Sequence, residues 1–353
     1  MSKRYLITLK PLEPYFFGGE QTFGEGDDAN YYAVSLRIPQ QTTLLGMLRK
    51  EILIQSKLFR FDGVYAPEEK GKINELIGCR GFNIGKESSY EKNSYGIIDG
   101  ISPVFLNKNG LYYNIGPFDR GVEFKTENGT RCFLFGEKKS APFFNNLSKD
   151  YKKEIFMDKA GSYCIDDKDL FKTVEKIGIT KNRSDEGDEG FYKKNSFLLD
   201  KDFAFSFIAE LSDDEFNFKD DIVFMGGDSS KFFMNVMKED DNNRIESYEE
   251  IFSELKSKRE NSLTLLSEAL VESSIYDHCD FAFSDIMDFR YIQTSTGDYK
   301  FDKSKSKSGK YNMVKKGSVF YFSEQGQLYK LKGLLSKDSL RQIGYNIYNI
   351  NED

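Results

Sequence analysis

Cations set beside small and flat residues recur at several places in this 353-residue chain, and the chemistry they suit is the holding of a polyanion. Lys181, Asn182 and Arg183 open a polar run, KNRSDEGDEG, whose far half carries Asp185, Glu186, Asp188 and Glu189. Its cationic head suits a phosphate backbone and its acidic half a basic partner; a plain solvated loop is the alternative. Tyr192 follows beside Lys193 and Lys194, an aromatic placed to stack on a base. Lys303, Lys305, Lys307 and Lys310 alternate with small residues and suit successive phosphates, or a plain surface loop. Thr42 and Thr43 stand directly before an apolar helical series, where free N–H groups and the positive helix end favour an anion. Gly46 lets a backbone come close there, and Arg49 adds a forked cation. An ordinary capped helix, with Gly46 admitting a packing neighbour, reads the same residues without a ligand.

Catalytic chemistry has little to work with. His278 is the single histidine, so every mechanism needing two in one chain is excluded. It lies in YDHCD, between acids and away from the cationic segments. Asp27–Asp28 and Asp240–Asp241 are adjacent carboxylates, the pattern of solvated acids rather than of a metal pair. GGDSSK, from Gly226 to Lys231, lacks the G-x-x-x-x-G-K-[ST] spacing of a phosphate loop. Cys79, Cys132, Cys164 and Cys279 are scattered, with no C-x-x-C knuckle, and are expected as reduced thiols in a cytoplasm. No metal and no cofactor are expected. The start, MSKRYLITLKPLEP, has no apolar run of signal-peptide length, and nothing approaches a membrane span. A net charge of -7 argues against coating nucleic acid over the whole surface and leaves room for a basic groove on an acidic body.

These residues must be held by a mixture of strands and helices. Arg4–Pro11 alternates and predicts a first strand; the four glycines within Phe16–Asp28 predict a loop; Ala33–Ile38 predicts a short strand. Thr42 or Thr43 caps a helix whose Leu44, Leu45, Leu48 and Ile52 form one buried face, with Arg49 and Lys50 off it. Residues 59–99 read as an irregular insertion. Strands follow in ISPVFL, LYYNI and RCFLF, then in EKIGIT, FYKKNSFLL and FAFSFIAEL, the middle one of these three pairing back across the polar loop. DIVFMGGDSSKFFMNVM reads as a strand broken by a double glycine and resumed. Ser247 and Glu250 make a capping box for a helix to Leu255, and Leu263–Leu270 continues in helical character. GSVFYFS is a strand, Ser336–Arg341 a short helix, and Tyr345–Ile350 a last strand. The fold class is α+β, most simply two βαββαβ-like units, with a boundary between Phe171 and Lys201.

Six segments in order resemble one family: ITLKPLEPYFFGGEQTFGEG, PQQTTLLGMLRKEIL, IGITKNRSDEGDEGFYKKNSFLL, FMGGDSS, KKGSVFYFSE and RQIGYNIYNI. The family is the RAMP proteins, the repeat-associated subunits of CRISPR effectors, and within it the third subunit of the type III-B (Cmr-type) complex. The resemblance implies two tandem ferredoxin-like (RRM-like) domains with long inserted loops, placed at residues 1–175 and 176–353. It implies a subunit without nuclease activity that grips the 5′ repeat-derived tag of crRNA. Such a subunit docks on the large polymerase-like subunit and on the backbone subunits, and meets target RNA only through the guide. It also implies RNA contacts at the Gly226–Gly227 turn, at Lys231 and at Gly344. Two departures stand out. Lys231 occupies the place near the turn where many members have arginine, and Asn346, which can still adopt left-handed backbone, follows Gly344 and Tyr345 where many have a second glycine. Other readings are the equivalent cap subunit of another type III complex, a purely structural adaptor, or a repeat-RNA endonuclease acting through His278.

Overall fold

The computed structural model describes residues 2–18, 32–61, 65–78, 82, 95–120, 122–126, 133–135, 138–144, 154–180, 190–213, 216–271, 273–291 and 308–352. The chain forms two compact units. One comprises residues 1–109, 168–245 and 289–311; the other comprises 110–167, 246–288 and 312–353. The expected division at residue 175 does not coincide with this one, because each unit gathers three separate stretches of chain.

In the first unit the strand Lys3–Pro11 is central. It pairs antiparallel with Ala204–Leu211 on one side and with Ser230–Lys238 on the other, so that Ile7 faces both Phe207 and Val236. Ile98–Ile101 and Phe105–Lys108 extend the first side, and Asp221–Met225 closes the second. Alternation puts Tyr5, Ile7 and Leu9 on one face, all fully buried. The helix Gln41–Gln55 buries Leu44, Leu48 and Ile52 completely, as their spacing requires. Fully burying one such side chain stabilises by roughly 1.5–3 kcal/mol. Tyr15, Phe17, Phe205 and Phe232 form an aromatic cluster with ring centroids 4.8–6.5 Å apart. A second sheet runs Phe171–Thr180, Gly190–Leu199, Tyr32–Leu36, Phe17–Gly18, its second and third strands parallel. The expected pairing back across the polar loop is therefore present.

Several local expectations change. The helix is capped by Gln40, whose carbonyl accepts from the N–H groups of Thr43 (2.9 Å) and Leu44 (3.2 Å), so Thr42 and Thr43 are first-turn residues rather than caps. The buried Gln41 decides this by donating from Nε2 to the Ser102 carbonyl at 2.8 Å. Within the expected irregular insertion lies the helix Pro67–Ile77, with proline at its start and Glu69 accepting the Ala66 N–H at 3.0 Å. The double glycine does not interrupt a strand; it reverses the chain into a hairpin of Asp221–Met225 with Ser230–Lys238.

In the second unit, Phe281–Phe283, Val319–Tyr321, Ser262–Leu265 and Tyr348–Asn351 form an antiparallel sheet in that order. Ser262–Leu265 lies where helical character was expected. The helix Gln325–Leu335 covers the sheet through Leu328, Leu331 and Leu335, which pack with Leu263, Leu265 and Phe320. The capping box is present, Ser247 Oγ accepting from Glu250 N–H at 3.2 Å, but its helix is only Tyr248–Ile251. Two buried polar networks hold this unit. Tyr248 Oη donates to the Leu266 carbonyl at 2.7 Å beside Asn114, and Asp119 accepts from Ser257 and Tyr321 hydroxyls. Burial first, and Asp119 second, push the Tyr321 phenol far up, so it remains a donor.

The class is α+β, with mostly antiparallel sheets and few helices. In each unit four neighbouring strands stand in the order second, third, first, fourth along the chain. Among the described residues the longer helices are Gln41–Gln55 and Pro67–Ile77 in the first unit and Gln325–Leu335 in the second. Among the described residues the first unit has none between Leu211 and Asp221, and the second has only the one-turn Ile275–His278 between its first two strands. Among the described residues no helix is long and apolar enough to cross a membrane.

Candidate nucleic-acid interface

Around Phe16 the first unit brings together parts of three expected segments. The turn Gly226–Ser229 sits on Phe16: the Gly227 N–H donates to the Phe16 carbonyl at 3.1 Å. Gly226 has φ 81, and a Cβ there would overlap the same carbonyl. Glycine is thus required by packing, and the Gly227 amide is spent inside the chain rather than offered to a phosphate. Lys194 reaches in from Gly190–Leu199, its ammonium 4.9 Å from the Phe16 ring centre and paired with Asp228. Burial, with Lys176 nearby, lowers its pKa despite that pair. Beside it Lys193 lies 5.7 Å from the ring centre of exposed Tyr32 and pairs with Glu175 at 2.8 Å, a hydrogen bond that raises its pKa. Tyr32 Oη also accepts from Asn195 Nδ2 at 2.9 Å.

Thr42 and Thr43 are half-buried in the first helical turn. Gly46, one turn on, is exposed, and a Cβ there would meet nothing within 4 Å. Among the described residues no neighbour demands glycine at this position. Arg49 lies with its guanidinium carbon 5.1 Å from the centre of the buried Tyr95 ring, turned inward rather than presented as an open fork. Lys231 is exposed; its backbone N–H donates to Glu13 Oε1 at 3.0 Å.

Gly344 belongs to the second unit and is buried, with φ 87 and its N–H bonded to the Arg341 carbonyl at 3.0 Å. Asn346 adopts φ 58, the left-handed backbone expected of it. Its fully buried side chain accepts from Leu270 N–H at 2.8 Å and donates to the Leu270 carbonyl at 3.1 Å. Both residues are folding elements, and neither offers an amide to a ligand. Lys181, Asn182, Arg183, Lys305 and Lys307 lie outside the described residues. Tyr192 stands in its strand opposite Gly178, and its side chain also lies outside the description. His278 ends a one-turn helix, half-buried, and among the described residues no group of three or more His, Cys, Asp or Glu side chains is arranged for a metal.

Sequence reading missed the exposed rings of Phe233 and Phe224 and the Lys194–Phe16–Asp228 contact. The first has a visible signal, the period-two run Lys231, Phe233, Asn235, whose members are all exposed. The second depends on chain crossings that no local pattern encodes.

Comparison with curated proteins finds no match. Among solved structures, a chain of the type III-B Cmr-beta complex bound to cognate target RNA is 15% identical. The likeness covers 98% of this chain and 96% of that one, with a TM-score of 0.48. A chain of the Csm3–Csm4 subcomplex of the type III-A CRISPR-Cas interference complex is 11% identical, covering 90% and 92%, with a TM-score of 0.41. Residues 7–110 match the family described as CRISPR-associated protein (Cas_Cmr3). That stretch, less than half of the chain, holds most of the opening strand and the Thr42–Thr43–Gly46 helix, and over it the chain is similar to that family.

Proposed function

We propose that this chain is a non-catalytic subunit of a type III CRISPR effector complex, of the type III-B kind, that holds the 5′ tag of crRNA and fixes the guide's register. The observation that carries the reading is the family match over residues 7–110, which includes the helix with the unexplained open Gly46. A glycine with free space above it lets a phosphate backbone or a partner's main chain approach closely. On this reading sequence is read by the guide's base pairing, and the protein grips backbone. The two sheets are read as reduced ferredoxin-like units. The partners are the large polymerase-like subunit and the backbone subunits, target RNA is met through the guide, and the setting is the cytoplasm. The net charge of -7 limits RNA contact to local cationic surfaces and leaves the remainder for protein neighbours.

Co-expression of the tagged chain with the other subunits and a repeat-spacer transcript tests this. A purified complex carrying guides of one defined 5′ end is expected. Guides with ragged 5′ ends, or a complex that assembles equally well without this chain, would remove the reading. The pure chain should leave repeat RNA intact; cutting that His278→Ala abolishes would instead make it an endonuclease.

A further inference from the structure

The hairpin that closes the first unit's sheet leaves part of one face open, and its residues fall into two rows. Across the strands Lys3–Pro11, Ser230–Lys238 and Asp221–Met225, Lys10 stands opposite Phe233 and Phe233 opposite Ile222. Two residues along, Lys231 stands opposite Phe224, and the Leu12 N–H bonds to the Lys231 carbonyl at 3.0 Å. Directly opposed residues in antiparallel strands point to the same face, so these six side chains share one surface. The rows lie about 6.7 Å apart along the strands. Phe233 is 41% exposed, Phe224 43%, Ile222 50% and Leu12 53%, whereas the other strand phenylalanines with described side chains are mostly core.

Each row thus holds a lysine, a phenyl ring and an aliphatic side chain. Lys10 and Lys231 are exposed and make no ion pair among the described residues. Lys50, from the helix Gln41–Gln55, lies 5.4 Å from the centre of the Phe224 ring and adds a third cation at the edge. The nearby acids are engaged. Asp220 accepts from Asn235 Nδ2 at 2.9 Å and from Val236 N–H at 2.8 Å, and Glu13 accepts from Lys231 N–H.

We propose that this face is a stacking platform for single-stranded nucleic acid, with bases on Phe233 and Phe224 and phosphates on Lys10 and Lys231. The interleaving favours that occupant over a protein, since lysine is depleted from the cores of protein–protein interfaces. Rings beside cations on an open sheet are what unstacked bases and their phosphates need. The platform shares Lys231 with the RNA contacts that the resemblance implies, but its rings, Phe233 and Phe224, lie outside them, and the stacking does not depend on the 5′-tag reading.

Fluorescence anisotropy of the full chain with a short fluorescein-labelled oligouridylate tests the platform. Phe233→Ala should weaken binding about tenfold, and Phe224→Ala should weaken it too. Lys10→Gln and Lys231→Gln should each flatten the dependence of log affinity on log salt by about 0.7. The chain has no tryptophan, so Phe233→Trp supplies a sole reporter; it should bind like the parent and be quenched by the oligonucleotide. The proposal fails if the parent does not bind, if both alanine variants bind like the parent, or if the bound Phe233→Trp chain is not quenched. It also fails if Phe233→Ala loses partner subunits while keeping oligonucleotide affinity, which would make the face a protein interface. Guide loading in the co-expressed complex is a separate readout, so ragged guide ends would sink the 5′-tag reading and leave the platform standing.

Discussion

Two glycines of this chain have opposite reasons to be glycine. Gly226 is fixed by its backbone and by the Phe16 carbonyl against it. Gly226→Ala should cost roughly 1–3 kcal/mol, seen as a lower urea midpoint with unchanged slope. Gly46 has open space, so Gly46→Ala should raise stability by roughly 0.5–1 kcal/mol, as for any exposed helix interior. If a backbone approaches there, the same substitution should reduce guide loading while the midpoint rises, a combination that folding alone does not produce. Asn346 is the third informative residue. Its side chain satisfies both polar groups of Leu270 within the core, so Asn346→Ala should cost about 2–4 kcal/mol by leaving them unpaired.

At the scale of elements, the helix Gln41–Gln55 places a carboxylate where water is absent. Glu51 is 2% exposed. Burial, then Asp221, push its pKa up to about 7, with Lys50 opposing. In the unfolded chain the same group ionises near its ordinary value of 4.5. Between those values the folded state binds more protons, so stability should fall as pH rises from about 4.5 to 7, by on the order of 2 kcal/mol from this group. Glu51→Gln should flatten that slope in urea titrations at several pH values; an unchanged slope would mean the carboxylate ionises freely in the fold. The hairpin beside the helix shows a related economy. Its inner positions Phe232 and Met234 are fully buried while Lys231 and Phe233 face outward, so one strand serves core and surface with period two.

Across the whole molecule, charge decides how a nucleic acid is met. With a net charge of -7 the chain repels a polyanion at long range, and association must come through the few cationic surfaces. Binding should therefore weaken steeply with salt, and reversing Lys181 and Arg183 to glutamate should lower both guide loading and the salt slope. Loading that survives this double reversal would take the polar loop out of the interface. The division into two units, each drawn from three stretches, also means that substitutions far apart in sequence report on one core: Leu263 and Leu331 pack together, as do Tyr15 and Phe232.

The opening strand, the buried stripe of Leu44, Leu48 and Ile52, the Ser247–Glu250 box and the left-handed Asn346 were legible in the sequence. Each depends on neighbours a few positions away, where periodicity and side-chain-to-backbone bonding act. The order of the six motifs likewise carried the family resemblance. Tertiary structure decided what local pattern does not encode. Burial of Gln41 moved the helix cap from Thr42 or Thr43 to Gln40. The sheet claimed Ser262–Leu265, whose composition suited a helix. Phe16, more than 200 residues before the hairpin turn, took up the Gly227 amide in a turn where the resemblance implied RNA contact. Arg49 turned onto Tyr95, while Phe233, one of many strand phenylalanines, was left facing out. Whether a cation, an amide or a ring is spent on the core or presented at the surface depends on which distant strand lies against it, and chain crossing settles that, not composition.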